Sequence, residues 1–390
     1  MADTAVDGVG GGARRVLVAA DKFKGSLTAA QVARCVTEGL RRVVPGADVE
    51  TLPVADGGDG TVDAAVAAGF ERREVRVAGP LGDEVTAAFA VRGDTAVVEM
   101  AEASGLQRLP AGVLAPLTAS TYGSGELLRA ALDAGARTVV FGVGGSATTD
   151  GGAGMLTALG ARFLDAAGEP VAPGGGGLAA LAAADLSGLD PRLLDVELVL
   201  ASDVDNPLTG PTGAPAVYGP QKGATPDDVA ALDAALAHYA TVVAESAAAS
   251  AAGHAEYAQA PGAGAAGGIG YGALLLGAQF RPGIDVMLDV LGFAAALDRA
   301  DLVITGEGSL DAQTLHGKAP AGVAAAARAA GREVVAVCGR LALSETELKG
   351  AGIARAYPLT DAEPDLARCL AEAGPILERV AERVARDFLV

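Results

Sequence analysis

Four stretches of this chain place carboxylates and glycines, in two of them with lysines, directly behind an apolar run. They are AADKFKGS (19–26), PVADGGDGT (53–61), LASDVDNPLTG (200–210) and VITGEGSLDAQTLHGK (303–318). Asp56 and Asp59, like Asp203 and Asp205, stand close together in turns. Carboxylates so placed can hold Mg2+ or take a proton from a hydroxyl. Glu307 and Asp311 offer the same two roles, so the metal candidates are Asp56, Asp59, Asp203, Glu307 and Asp311. No His or Cys neighbours them, which suits a hard cation and not zinc. Asp and Gly also make ordinary turns and helix caps. Each stretch alone is explained about as well that way. Four together, with lysines beside the carboxylates, point to a polar site.

Lysine usage sharpens this. The chain has 24 Arg but five Lys, and four of the five lie in or beside glycine turns: Lys22, Lys24, Lys222 and Lys318. Lys349 alone sits in an ordinary polar stretch. The compact ammonium of Lys suits a phosphate or carboxylate oxygen. Lys24 and Lys318 are therefore expected to neutralise substrate or phosphate charge. Asp203 follows the apolar run VELVLAS and is expected to be the general base or a Mg2+ ligand, with Asn206 orienting it or the metal. Asp56 competes for the same role. Further contacts are expected from the turns themselves, at Ser26, Gly57, Gly58, Gly306 and Ser309.

The segment VFGVGGSATTDGGAGM (140–155) raises a separate question, because bare backbone is entropically costly to order. It contains G-x-G-x-x-A at Gly142, Gly144 and Ala147, close to a dinucleotide fingerprint. A true fingerprint opens a helix at once. Here the next residues place the helix start no earlier than Asp150, which reads as a cap or ligand. The amides of 144–147, Gly144, Gly145 and Ser146 among them, and the hydroxyls of Ser146 and Thr149 are expected to face an oxyanion, and Lys222 is expected to contact substrate or nucleotide. No Walker P-loop is present: Ala319 follows Gly317-Lys318, and position 312 is Ala.

Short β-branched runs alternating with Ala-rich helical segments position these residues. RRVLVAA, the helix 27–44, VETLPVA and the helix 60–69 form a βαβα series, which predicts a parallel sheet under helices. From residue 71 three short strands with tight turns suit antiparallel or mixed pairing. A helix at 125–135, the strand TVVF, the strand 196–204 and a helix at 227–250 follow. The βα rhythm returns at 300–308, a helix near 319–330, the strand 333–340 and a final helix 364–387. The expected fold is two α/β domains. A parallel-sheet, flavodoxin- or Rossmann-like domain comes from both chain ends (14–78 and 289–390), and a mixed α/β domain (79–288) is inserted. Residues 1–13 read as a disordered tail.

The 390 residues carry a net charge of −19, which disfavours nucleic acid and anionic membranes. Hydrophobic residues make up 51 % and aromatics 4 %, giving a core of Ala, Val and Leu. Three scattered cysteines fit reduced thiols in a cytoplasmic protein, and the N-terminal residues lack a signal-peptide core. The expected partners are small molecules, with the chain a monomer or homodimer.

Taken together, DKFKGSL, PVADGGDGT, STYGSGEL, GGSATTDGGAGM, DVDNPLTGPTGA, YGPQKGA and TGEGSLDAQTLHGKAP resemble the bacterial type-1 glycerate kinase family from Arg15 to about residue 380. Two departures are Lys22, where members often have Ser, and Thr149, where Asn is common. The resemblance implies ATP- and Mg2+-dependent phosphorylation of D-glycerate to 2-phosphoglycerate. It also implies two α/β domains with the active site in the cleft between them. Competing readings are a nicotinamide-dependent oxidoreductase of a small hydroxy acid, which requires a helix from Ser146, and a non-enzymatic small-anion binding protein.

Overall fold

The computed structural model describes residues 14–247, 254–315 and 317–390. The expected disordered tail, 1–13, lies outside them. The first strands are β1 (Arg15–Ala20), β2 (Asp48–Thr51), β3 (Glu71–Ala78), β4 (Glu84–Arg92), β5 (Thr95–Glu99) and β6 (Thr138–Gly142). After them come β7 (Arg162–Asp165), β8 (Leu181–Asp185), β9 (Glu197–Ala201) and β10 (Gln279–Arg281). The last three are β11 (Leu302–Leu310), β12 (Glu333–Leu341) and β13 (Arg355–Pro358). The chain divides into two compact units, one made of the residues up to Val54 together with Gly292–Val390, the other of Ala55–Leu291.

The first unit holds a five-stranded sheet in the order β13-β12-β11-β1-β2, with every pair parallel. Strand β1 lies inside the sheet, which is why RVLVAA is apolar without alternation: Val16 to Ala20 are all buried. Helix Ala29–Val43 begins at Thr28 with a capping box: Thr28 Oγ1 accepts the Gln31 amide and Gln31 Oε1 accepts the Thr28 amide. Its apolar stripe, Val32, Val36 and Leu40, shares a core with Ile376, Val380 and Val384 of helix Ala373–Phe388. A cavity of about 220 Å³ at the amino ends of β1 and β2 is lined by Arg15, Asp48, Glu50 and Arg299. Arg299 there is already paired with Glu50, and no expected site residue lines it.

The second unit holds a six-stranded mixed sheet in the order β10-β9-β6-β5-β4-β3. Strands β5, β6, β9 and β10 run parallel, and β3 and β4 join as an antiparallel meander. Strands β7 and β8 form a separate hairpin. The first boundary differs from the sequence reading. It falls after Val54 and not near residue 78, because helix Thr61–Ala67 leads into β3, and β3 pairs only with β4. The second falls at Leu291/Gly292. Helix 364–387 is broken in two, Leu366–Ala371 and Ala373–Phe388. Among the described residues no helix is long and apolar enough to cross a membrane.

Candidate active site

In the second unit the loop that follows Ala55 crosses the carboxyl ends of the parallel strands. Gly57 is buried there, and a β-carbon on it would lie 2.9 Å from the Ala201 carbonyl at the end of β9. A β-carbon on Gly142, the last residue of β6, would lie 2.6 Å from the Gly57 carbonyl. One on Gly144 would lie 2.6 Å from the Gly58 α-carbon. The Asp56 carboxylate turns back to accept the Gly58 amide at 3.2 Å. The bare backbone of 142–144 therefore admits a second stretch of backbone.

Asp203, just beyond β9, is brought to Asp56. Gly283 starts helix Gly283–Leu291, and its amide donates to Asp203 Oδ1 at 3.1 Å. A β-carbon on Gly283 would fall on the Asp56 carbonyl and 3.5 Å from Asp203 Oδ2. Asp203 keeps an exposed surface, but protein crowds its carboxylate. This loss of water, and then the charges of Asp56, Asp285 and Asp205, push its pKa up to about 6 against the Gly283 bond. Asp56 and Asp203 thus lie close together, and Gly283 and Asp285 join them although no turn motif announced either.

The rest of the glycine segment is interior. The Gly144 amide reaches the Gly57 carbonyl at 3.4 Å, and the Ala147 amide donates to Ser104 at 2.9 Å. Gly145, at φ +75°, has the Asp59 carboxylate where a β-carbon would stand. Lys222 is 1 % exposed and donates to Ser146 Oγ at 2.7 Å and to the Thr148 carbonyl at 2.6 Å. Burial lowers its pKa to about 7, against the charge of Asp150. Asp150 is buried too. It accepts the Thr121 amide and hydroxyl at 2.8 and 2.9 Å and the Gly152 and Gly154 amides, capping helix Ala153–Ala158. Its burial raises its pKa despite those bonds. Thr149 is fully buried. Ser146, Asp150 and Lys222 thus bond to the protein itself, the Thr149 hydroxyl is buried without a hydrogen-bond partner, and the Gly144 amide lies against the Gly57 carbonyl. Asn206 is likewise committed to the protein: Nδ2 donates to Thr212 at 2.8 Å, and Oδ1 accepts the Tyr218 hydroxyl at 2.7 Å.

Glu99 ends β5 and was not singled out by sequence. It is 2 % exposed and accepts the Gly60 and Val62 amides at 3.1 to 3.2 Å. Burial, then Glu102 and Asp59, push its pKa up to about 7 against the Val62 and Gly60 bonds. Its signal was a carboxylate closing the apolar strand TAVVE.

In the first unit the remaining candidates gather at the carboxyl ends of β1 and β11. The DKFKGS turn is closed by Phe23 and Leu27 amides and carbonyls, and Ser26 Oγ donates to the Phe23 carbonyl at 3.0 Å. Lys24 is exposed, and its amide nitrogen would be 3.2 Å from a β-carbon on Gly308. Lys318 Nζ lies 3.7 Å from Glu307 Oε2, and the Thr314 hydroxyl donates to Glu307 Oε1. Ser309 Oγ donates to Asp311 Oδ2 at 3.4 Å. Gly306 is packed on the Val337 carbonyl, so its missing side chain serves strand packing. Of the five metal candidates, Asp56, Asp59 and Asp203 belong to the second unit and Glu307 and Asp311 to the first. Among the described residues no three His, Cys, Asp or Glu are close enough to hold a metal ion by themselves.

The family model described as the glycerate kinase family matches residues 16–389. The chain belongs to the glycerate kinase family. It is 47 % identical to the glycerate kinase of Bacillus subtilis (strain 168), covering 96 % of this chain and 97 % of that one. It is 45 % identical to the glycerate 2-kinase of Escherichia coli (strain K12), covering 84 % and 85 %. A crystal structure from Salmonella typhimurium LT2, provisionally named glycerate kinase 2, superposes with a TM-score of 0.82. It is 43 % identical, covering 96 % and 98 %. Membership makes this chain a kinase, a transferase with an alcohol acceptor. The dehydrogenase reading fails on geometry as well: the helix after the fingerprint starts at Ala153, seven residues beyond Ser146.

Proposed function

We propose that this kinase transfers the γ-phosphoryl group of ATP to the 2-hydroxyl of D-glycerate, with Asp203 as general base. The observation that carries the reading is the Asp56–Asp203 pair closed around Gly283, in a chain that matches glycerate kinases along nearly its whole length. Asp203 has one oxygen fixed by the Gly283 amide and a pKa near 6, so it is an oriented, ionised acceptor at neutral pH. Asp56 is its neighbour and supplies a second carboxylate.

Oxygen donors of this kind fit Mg2+, which takes one or two carboxylates and fills its remaining positions with phosphate oxygens and water. Of the pair, Asp56 would hold it, and Asp203 would stay free to act as the base. Bound there, the ion would neutralise phosphate charge. Lys24 and Lys318 supply positive charge for an anionic reactant at the ends of β1 and β11. Little proton removal is needed early in a loose phosphoryl transfer, so the base contributes about 10²–10⁴-fold.

The test is ADP release with D-glycerate, ATP and Mg2+, and phosphorus NMR of the product. No ADP release with glycerate refutes the substrate, and 3-phosphoglycerate refutes the position. For Asp203, kcat falls about tenfold per pH unit below about 6, because the base is then protonated. Asp203→Asn loses turnover at every Mg2+ concentration. Recovery at high Mg2+ would instead make Asp203 a metal ligand.

A further inference from the structure

We propose that Glu99 is a positioning residue, whose carboxylate fixes the Asp56–Gly60 loop so that Asp56 stands beside Asp203. For the reaction it serves, this rests on the glycerate kinase reading above. Strands β5, β6 and β9 are adjacent and parallel, and their ends are in register: Glu99 pairs with Gly142, and Gly142 with Ala201. The loop lies across these three ends. At β9 and β6 the contact is steric, with Gly57 against Ala201 and Gly142. At β5 it is hydrogen-bonded. Both Glu99 oxygens accept the Gly60 amide, at 3.2 and 3.1 Å, and Oε2 also accepts Val62 at 3.2 Å.

Glu99 is thus the one anchor of the three that acts through a long side chain. Gly60, at φ +88°, ends the loop and opens helix Thr61–Ala67, so the amides that Glu99 receives sit at the point where the chain turns. A carboxylate accepts through both oxygens, whereas a carboxamide of the same length points an NH2 group at one of the donors. Glutamine therefore keeps the shape but repels part of the loop. With that anchor weakened, the loop pivots about Gly57 and carries Asp56 and Asp59 with it. Charge-assisted bonds of this kind are about twice as strong as neutral ones, which offsets part of the cost of a buried carboxylate.

The experiment compares Glu99→Gln with wild type by steady-state kinetics on D-glycerate and ATP and by amide hydrogen exchange. The expected kcat is about 10- to 100-fold lower, in line with an ångström-scale misplacement of a reacting group. KM for both substrates stays within about twofold. Exchange at residues 60–62 accelerates, and exchange in β5 and β6 does not. A kcat within twofold of wild type overturns the proposal, as does a lower kcat with unchanged exchange at 60–62. If Glu99→Gln does not fold, the same readouts are taken on Glu99→Asp, whose carboxylate is one methylene too short. A wild-type chain inactive on glycerate refutes the substrate, not this role; the exchange comparison then decides alone. Faster exchange at 60–62 supports the anchor, and unchanged exchange overturns it.

Discussion

Replacing Gly283 by alanine drives a wedge between the two aspartates. The new methyl lands on the Asp56 carbonyl oxygen, far inside the separation at which real β-carbons are found, and in ordinary contact with Asp203 Oδ2 at 3.5 Å. The backbone of the 55–57 loop, or the start of helix Gly283–Leu291, must give by roughly 1 Å to relieve the overlap. The Gly283 φ is not in the left-handed region, so the perturbation is purely steric, and the amide that holds Asp203 is retained. Overpacking costs about 1–3 kcal/mol, partly offset by up to about 1 kcal/mol from alanine's helix preference. For a unit of this size each kcal/mol is worth about 2–4 °C, so Tm drops by several degrees. Displacing the base or its neighbour by about 1 Å costs about 10²-fold in rate, or about 3 kcal/mol in the barrier. The assay is kcat, KM and Tm on one preparation, at a temperature where the variant is fully folded. A folded Gly283→Ala enzyme with kcat within threefold of wild type refutes the pairing of Asp56 with Asp203 as the working arrangement.

Lys318→Ala should lower kcat/KM at least tenfold. Lys349→Ala, at a side chain 70 % exposed and paired only with Glu345 four residues earlier, should leave it unchanged; equal effects would show that the loop lysines have no special role. The buried Lys222 gives a prediction on stability. Its folded pKa is near 7 against 10.5 unfolded, so between these values the unfolded chain binds a proton that the folded chain does not. Wild-type stability from this group therefore rises with pH across that window, by about 1.4 kcal/mol per unit. Denaturant titrations of wild type and Lys222→Met should converge or cross accordingly, and parallel stability curves would refute the assignment.

What could be read from sequence, and what could not, follows from where each signal lies. The parallel sheet was legible because β1, β11 and β12 carry the apolar runs VLVAA, LVI and VVAVC, and the meander because β3 to β5 are short and closely turned. Residue type marked the Asp56 and Asp203 turns as polar, but only the fold brings the two to Gly283. The packing of the glycine segment was not legible because ligands and backbones both require missing side chains, and its partners, Gly57 and Gly58, lie far away in sequence. The burial of Lys222 was not legible for a related reason. Its local context, GPQKG, is polar and turn-like, and only the packing of Ser146 and Thr148 around it reveals burial. Glu99 looked like the polar end of a strand, since its two amide donors belong to another segment. The boundary near 78 failed because helix Thr61–Ala67 resembles a crossover back to the first sheet, although it feeds β3.

The first unit is assembled from the two ends of the chain, and this has a consequence for synthesis. Strand β1 needs β11 as a neighbour, and helix Ala29–Val43 needs helix Ala373–Phe388 to cover Val36 and Leu40. These partners leave the ribosome some 300 residues later. At ~5–20 residues per second that is a wait on the order of tens of seconds. During it the inserted unit can complete its own sheet, while an apolar strand and one face of an amphipathic helix stay uncovered. The nascent N-terminal segment is thus a natural client for a holding chaperone. A chain stalled before residue 373 would carry a finished inserted unit beside an unfinished first one.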